Sequence, residues 1–105
     1  MNMSELNKKL EQIDAYFRAG DPTLTEKERL LSRLVKLNEE VGELCEAALC
    51  ENDKNQREKE KDIDFDAELA DIMICTLLLA LHRKKDLWSE VDKKIHKQFQ
   101  RFGLV

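Results

Sequence analysis

Apolar residues recur at helical spacing in four stretches of the chain. The first stretch predicts a helix over about residues 4–19, with Ser4 as its N-cap. The second helix is predicted to begin at Thr25–Glu28, where a hydroxyl and a carboxylate have the spacing of a capping box. Its apolar stripe continues to about Cys50. The first half of the chain therefore consists of two amphipathic helices.

The third stretch predicts a helix over about residues 64–83, with Asp62 and Asp64 as candidate caps. The run Ile72–Leu81 is apolar on nearly every side, which is typical of a helix buried all round. A chain this short has too little of its own surface to cover such a helix, so we expect a second subunit to cover it. The fourth helix is predicted over 86–103, from an Asp cap to a terminal Gly.

The composition agrees with an all-α protein. The 105 residues include only three Gly, one Pro and 6% aromatic residues, which favours helices over a β-sandwich or barrel. Between the second and third helices, nine of the twelve residues 51–62 are charged, which indicates a solvated connector. We predict one domain over 1–105, a four-helix bundle whose core is completed by oligomerisation.

Charge and hydropathy exclude two kinds of partner. A net charge of −4 and a pI near 5.3 give no reason to expect binding to nucleic acid, which usually requires a basic face. The apolar stretch Leu69–Leu81 is too short to span a bilayer and is interrupted by Asp71, so no membrane partner is expected. The N-terminus has no signal-peptide pattern. We expect a soluble, cytoplasmic protein.

The cysteines and histidines do not form a recognisable site. Cys45, Cys50 and Cys75 lack CxxC spacing, and we expect reduced thiols packed as small hydrophobes. His82 and His96 stand alone, which favours surface or capping positions over ligand or catalytic roles.

Two pairs of acidic residues are the strongest candidates for chemistry. Glu40 and Glu43, like Glu68 and Asp71, are three residues apart, which on a helix places both on one face. Asp71 leads into the apolar run, where an ionised acid is costly unless it is paired or bound to a metal. Carboxylate oxygens are the ligands that Mg²⁺ prefers. Taken singly, each pair also fits a solvated helix face or favourable charge at a helix start.

The acids belong to a longer pattern. Glu39-Glu40-x-x-Glu43, followed 25 residues later by Glu68-x-x-Asp71, resembles the EExxE…ExxD motif of the all-α nucleoside triphosphate pyrophosphohydrolases. The nearest branch is the MazG-like proteins. The resemblance covers about residues 30–103.

The resemblance implies a fold, an activity and a set of site residues. The expected fold is a MazG-like bundle acting as a homodimer or homotetramer. The expected reaction is Mg²⁺-dependent cleavage of a (d)NTP between its α and β phosphates, with Mn²⁺ as a substitute metal, in nucleotide-pool housecleaning. The implied metal ligands are Glu40, Glu43, Glu68 and Asp71. The implied catalytic residues are Glu39 and Glu40, with Glu39 either a helper or a solvated side chain. The implied phosphate contacts are Lys94, Lys97 and Arg101.

Some positions differ from that family, and other functions stay open. Gln98 stands where an Asn is common, and Cys75 and Leu78 stand where some relatives place Asn or Tyr near the nucleotide. One alternative is a phosphoribosyl-ATP pyrophosphohydrolase-like activity, although that branch usually has aromatic and His residues where Met73–Cys75 stands. Another is a non-enzymatic helical dimerisation or adaptor module. The basic residues of the last helix equally fit a solvated face that complements the helix dipole.

Overall fold

The computed structural model of the chain describes residues 2–52 and 64–104, and these residues form helices and no strands. The helices are α1 (Met3–Gly20), α2 (Glu26–Asn52), α3 (Phe65–Arg83) and α4 (Leu87–Arg101). The predicted all-α class with four helices is confirmed. The proposed cap Asp62 and most of the predicted connector lie outside the described residues. None of the described helices is both long enough and apolar enough to cross a membrane.

Local capping fixes where the helices begin. The Thr25 backbone N–H donates to Glu28 Oε1 at 2.9 Å, and the Glu28 N–H donates to Thr25 Oγ1 at 3.1 Å, which confirms the capping box. Asp64 and Asp86 each accept backbone N–H bonds from the first turn of the helix that follows, as predicted.

The N-cap of α1 differs from the prediction. The side-chain oxygen of Asn2 accepts a hydrogen bond from the Glu5 backbone N–H at 2.9 Å. Ser4 lies inside the first turn and is not the cap. Asn and Ser are both strong cap formers, and here the hydrogen bond that Asn2 accepts places the cap two residues before Ser4.

The helices pack unequally. The main contact runs between α2 and α3, and α1 packs against α3 over a smaller area. A small apolar cluster forms the core, with buried members Leu10, Leu77 and Leu78 and partly buried members Leu6, Leu81 and Leu87. The α2–α3 pair is therefore the main scaffold of the fold.

The fourth helix does not close a bundle within the chain. Every residue of α4 after Leu87 is exposed. Its apolar stripe consists of Trp88, Val91, Ile95, Phe99 and Phe102. The Cα radius of gyration is 17.1 Å, whereas a compact domain of this length has about 13 Å. Much of the apolar surface of α4 is thus left uncovered by its own chain.

A single chain leaves part of α3 exposed, as expected for a chain this short, and its covering by a second subunit stays a prediction. Only Leu77 and Leu78 of α3 are buried, whereas Leu69, Met73 and Ile74 are exposed. The reason is geometric, because α1 and α2 cover only part of its circumference.

Candidate metal site and adjoining cavity

Three of the predicted carboxylates meet where α2 packs against α3. Glu40 of α2 and Glu68 and Asp71 of α3 each offer an oxygen, and these oxygens lie within 4.8 Å of one another. The spacing of Glu68 and Asp71 places both on the same face of α3, and the α2–α3 contact brings Glu40 to them. We call these three residues the carboxylate cluster.

The carboxylate cluster is poorly compensated by protein groups. The Oε2 atoms of Glu40 and Glu68 are buried, and neither has a hydrogen-bond partner among the described residues. Partial burial, followed by the negative charges of Glu43, Glu40 and Asp71, raises the pKa of Glu68. A cation among these oxygens would satisfy both orphaned atoms and relieve the repulsion. The donor set of carboxylate oxygens fits Mg²⁺ or Mn²⁺.

The residue that is buried is Glu40 rather than Asp71. Glu40 is 6% exposed, Glu68 is half-buried and Asp71 is exposed. Within one chain Asp71 is exposed, so the energetic cost of burial that the sequence argument assigned to Asp71 is not shown there. The cost of burying an ionised acid applies instead to Glu40. The sequence analysis had placed Glu40 on an amphipathic helix and had not predicted its burial.

The other two predicted acids lie at the edge of the cluster. Glu43 is exposed and is not one of the three residues whose oxygens meet, although its charge acts on Glu68. Glu39 is exposed, and the ion pair it makes is with Lys36 at 3.8 Å. The structure thus brings together three of the four predicted metal ligands. The fourth ligand, Glu43, and the predicted catalytic residue Glu39 are not among the three.

Lys36 is a site residue that the sequence analysis missed. Its Nζ lies 3.1 Å from Glu40 Oε1, on the preceding turn of α2. The hydrogen bond to Glu40, aided by the charges of Glu40, Glu39 and Glu43, raises the pKa of Lys36. The four-residue spacing from Lys36 to Glu40 was the available signal. Lys36 neutralises one oxygen of Glu40 and leaves the other without a partner.

The predicted phosphate contacts are not brought to the carboxylate cluster. Lys94, Lys97 and Arg101 all lie on exposed α4. Among the described residues, none of these three side chains forms an ion pair with an acid, and the Arg101 guanidinium lies over the Phe102 ring, 5.6 Å from its centroid. Within one chain, these cations are not part of the site.

A cavity of about 470 Å³ opens beside the cluster, between α1, α2 and α3. Glu40 and Asp71 belong to both the cluster and the cavity wall. The apolar part of the wall consists of Ile13, Phe17, Leu24, Ile74 and Leu78. The polar part includes Asp21, Arg29, Ser32, Arg33 and Lys36. Volume and lining are those of a small-molecule site.

Cys75 also lines this cavity, together with Leu78. At these two positions, some members of the family that the sequence resembles have Asn or Tyr near the nucleotide. Burial, followed by the charge of Glu40, raises the pKa of the Cys75 thiol, so the thiol is neutral in the cavity wall. Cys45 is exposed, and its predicted packing as a small hydrophobe is wrong.

Arg33 is held firmly in the cavity wall. Its Nη2 donates to Asp14 Oδ1 of α1, and its guanidinium carbon lies 5.6 Å from the centroid of the Phe17 ring. The Arg33 side chain is 12% exposed. Burial lowers the pKa of Arg33, but arginine remains charged in proteins. The result is a fixed, planar hydrogen-bond donor facing the cavity.

A second group of ion pairs connects the last turn of α1 to the first turn of α2. Arg18 pairs with Asp14 on its own helix and, through two nitrogens, with Glu26 at the start of α2. His82 Nδ1 lies 3.4 Å from Glu26 Oε2. The His82 side chain is only 4% exposed, so of the two predicted positions, surface or capping, the surface one is wrong. His82 lies in the last turn of α3.

Comparisons with protein-family models, curated proteins and solved structures found no match to this chain.

Proposed function

We propose that the chain is a Mg²⁺-dependent nucleoside triphosphate pyrophosphohydrolase of the MazG-like kind. The observation that carries the proposal is the carboxylate cluster, in which Glu40, Glu68 and Asp71 meet and two buried oxygens have no hydrogen-bond partner within residues 2–52 and 64–104. The order of these acids along the chain, EExxE and then ExxD, supports the same reading. The adjoining cavity supplies space for an organic substrate beside the acids.

The acids would bind Mg²⁺, and Mn²⁺ would substitute for it. The metal supplies the positive charge that offsets the triphosphate and makes water more acidic. Glu40, fixed by its burial and by Lys36, orients the substrate end that approaches the cluster. Water adds to phosphorus, the bond between the α and β phosphates breaks, and the products are the monophosphate and pyrophosphate. A role in cleansing the nucleotide pool is part of the proposal.

The proposal includes a homodimer or homotetramer. The uncovered apolar stripe of α4 and the exposed apolar residues of α3 support it, since stable chains rarely leave so much apolar surface in water. In such an oligomer, the α4 helix of a neighbouring subunit would present its basic residues to the phosphates, as the family resemblance implies. These residues are Lys94, Lys97 and Arg101.

The test is pyrophosphate release from a panel of canonical and modified dNTPs and NTPs, with Mg²⁺ and with EDTA. We expect release that requires the metal. Asp71→Asn should reduce turnover by at least about a hundredfold, because a ligand of the metal loses its charge, while the circular dichroism spectrum is unchanged. Asp92→Asn makes the same chemical change on exposed α4 and should leave turnover intact. Equal turnover in the two variants would refute the metal-site assignment.

A non-enzymatic dimerisation or adaptor module is the second candidate, and the open apolar face of α4 favours it. This alternative predicts no metal-dependent turnover with any nucleotide. It also predicts that partner binding is indifferent to Asp71→Asn. The same panel and variant therefore separate the two functions.

A further inference from the structure

We propose that the cavity between α1, α2 and α3 binds the nucleoside part of the substrate, and that Arg33 selects guanine-type bases over adenine. The choice of a nucleoside as ligand rests on the proposed function. The choice of subsite and of base comes from the cavity wall itself.

The position of the cavity relative to the carboxylate cluster sets the direction of the ligand. Phosphates that share a metal with Glu40 and Asp71 must lie at that end of the cavity. Arg33 precedes Glu40 by seven residues on the same helix, which is about 10 Å along its axis. Arg33 therefore lies at the end of the cavity remote from the phosphates, where a base would be placed.

The chemistry of the wall favours a base at that end over a phosphate. Ile13, Leu24 and Leu78 line the cavity and would strip water from a phosphate without replacing it. The charge of Arg33 is already paired with Asp14. What Arg33 offers a ligand is thus a set of directed N–H groups rather than net positive charge.

Apart from Asp21, which precedes α2, the polar side chains of the wall beyond the carboxylate cluster lie on α2, so we assign recognition of the base to α2. The α3 side chains in the cavity beyond Asp71 are Ile74, Cys75 and Leu78, which are weak or null hydrogen-bonding groups. On α2, Lys36 is engaged with Glu40, and Arg29 donates to the Asp21 carbonyl at 2.5 Å.

Arg33 is the α2 group best placed to read a base. A guanidinium has five N–H donors, and among the described residues the hydrogen bond of Arg33 to protein goes to Asp14. Guanine presents two adjacent acceptors, O6 and N7, to which arginine binds in a bidentate manner. Adenine presents an amino donor in place of O6, and a donor facing Arg33 leaves both groups unsatisfied. The geometry therefore favours 6-oxopurines.

The test uses uncharged nucleosides and no metal, so that it does not depend on catalysis. Binding to the full-length chain is followed by NMR chemical shifts with deoxyguanosine, deoxyinosine, 7-deazadeoxyguanosine and deoxyadenosine. We expect deoxyguanosine and deoxyinosine, which share O6 and N7, to bind about tenfold more tightly than deoxyadenosine. The affinity of 7-deazadeoxyguanosine should lie between those of deoxyguanosine and deoxyadenosine. The chemical-shift changes should map to residues of the cavity wall.

Variants then isolate Arg33. Arg33→Met keeps an unbranched side chain at this position, removes the N–H donors and should abolish the preference for guanine. Asp14 keeps its ion pair with Arg18 in this variant. If the loss of Arg33 nevertheless unfolds the protein, the double variant Asp14→Asn/Arg33→Met removes the acid as well and should show the same loss of preference. Arg83→Met makes the same change at an exposed helix end and should keep the preference.

The outcomes are distinguishable from those of the pyrophosphate assay. Equal binding of guanine and adenine nucleosides, no binding at all, or a preference that survives in the Arg33→Met protein would overturn the inference. Selective nucleoside binding without any metal-dependent pyrophosphate release would retain the subsite and refute the proposed function. Pyrophosphate release without base selectivity would do the reverse.

Discussion

Glu40 is the residue on which the site depends most. It is nearly fully buried, one of its oxygens is paired with Lys36, and the other has no hydrogen-bond partner in the part of the chain that the structure describes. A buried acceptor without a partner costs stability, and a neighbouring acid at Glu68 adds repulsion. Without a cation, the protein therefore carries local strain at the place where chemistry is proposed.

Replacement of this acid should stabilise the protein in the absence of metal. Glu40→Gln removes a charge beside Glu68 and gives an amide N–H that can donate to the orphaned Glu68 oxygen. We expect the thermal midpoint in EDTA to rise by a few degrees, equivalent to about 1 kcal/mol in a domain of this size. Added Mg²⁺ should raise the midpoint of the wild-type protein and not that of the variant.

The matched control is Glu39→Gln, an adjacent acid that is exposed. It should change the midpoint in EDTA little and keep the response to Mg²⁺. Scanning calorimetry of the three proteins checks the prediction, and a wild-type midpoint that is insensitive to Mg²⁺ would contradict it.

The site was partly predictable because part of it is local. The pairing of Glu68 with Asp71 follows from helical periodicity alone, and the structure keeps both in the cluster. Burial of Glu40 depends on how α2 packs against α3, which residue spacing does not reveal. Arg33 was missed for the same reason, since its partner Asp14 is on another helix.

At the scale of the helices, the ends could be predicted better than the packing. Capping is decided within a few residues, so the Thr25–Glu28 box and the caps Asp64 and Asp86 are found where the sequence indicates them. The prediction that Ser4 is the N-cap was wrong because Asn2, two residues away, is an equally good cap former. Which sides of α3 are buried depends on how other helices pack against it. The residue pattern within α3 therefore cannot predict it.

The connection between α1 and α2 should be sensitive to acid. The hydrogen bond from Arg18 is the main cause that lowers the pKa of Glu26 from 4.5 to about 2. A carboxyl whose pKa is lower in the folded state contributes stability that is fully present above pH 4.5 and is lost as the pH falls toward about 2. Wild-type protein should therefore be more stable than Glu26→Gln at neutral pH, and the difference should vanish across that window.

Urea unfolding of both proteins over this pH range gives the measurement. Glu11→Gln, which removes an exposed acid of α1 that makes no ion pair among the described residues, is the control and should differ from wild type by the same amount at every pH. A constant difference between wild type and Glu26→Gln would show that the Arg18 pair does not support the α1–α2 connection.

At the scale of the whole molecule, the main feature is the apolar face of α4 that the chain itself leaves uncovered. The small core of leucines joins α1 to α3, α2 packs along α3, and Leu87 alone of α4 packs against the leucine core. Phe99 lies in the middle of the exposed stripe and is 43% exposed. In the proposed oligomer, this stripe is the part of the chain that a second copy covers.

Phe99→Glu should separate the subunits. A carboxylate in an apolar interface must be desolvated without a partner, which outweighs the contacts of one aromatic ring. We expect light scattering after gel filtration to give an oligomer for wild-type protein and a monomer for the variant, with loss of any pyrophosphate release. Gln100→Glu adds the same charge to the adjacent polar position and should remain oligomeric. A monomeric wild-type protein would refute the proposed assembly.

In the proposed oligomer, the exposure of α4 within one chain also makes the stability of this helix depend on the protein concentration. A helix of 15 residues is near the length at which isolated helices are only marginally stable in water. A segment that gains order only when another molecule covers it obeys mass action. The helical content of the chain, its resistance to proteolysis near the C-terminus and its specific activity should then fall together on dilution, with one common midpoint.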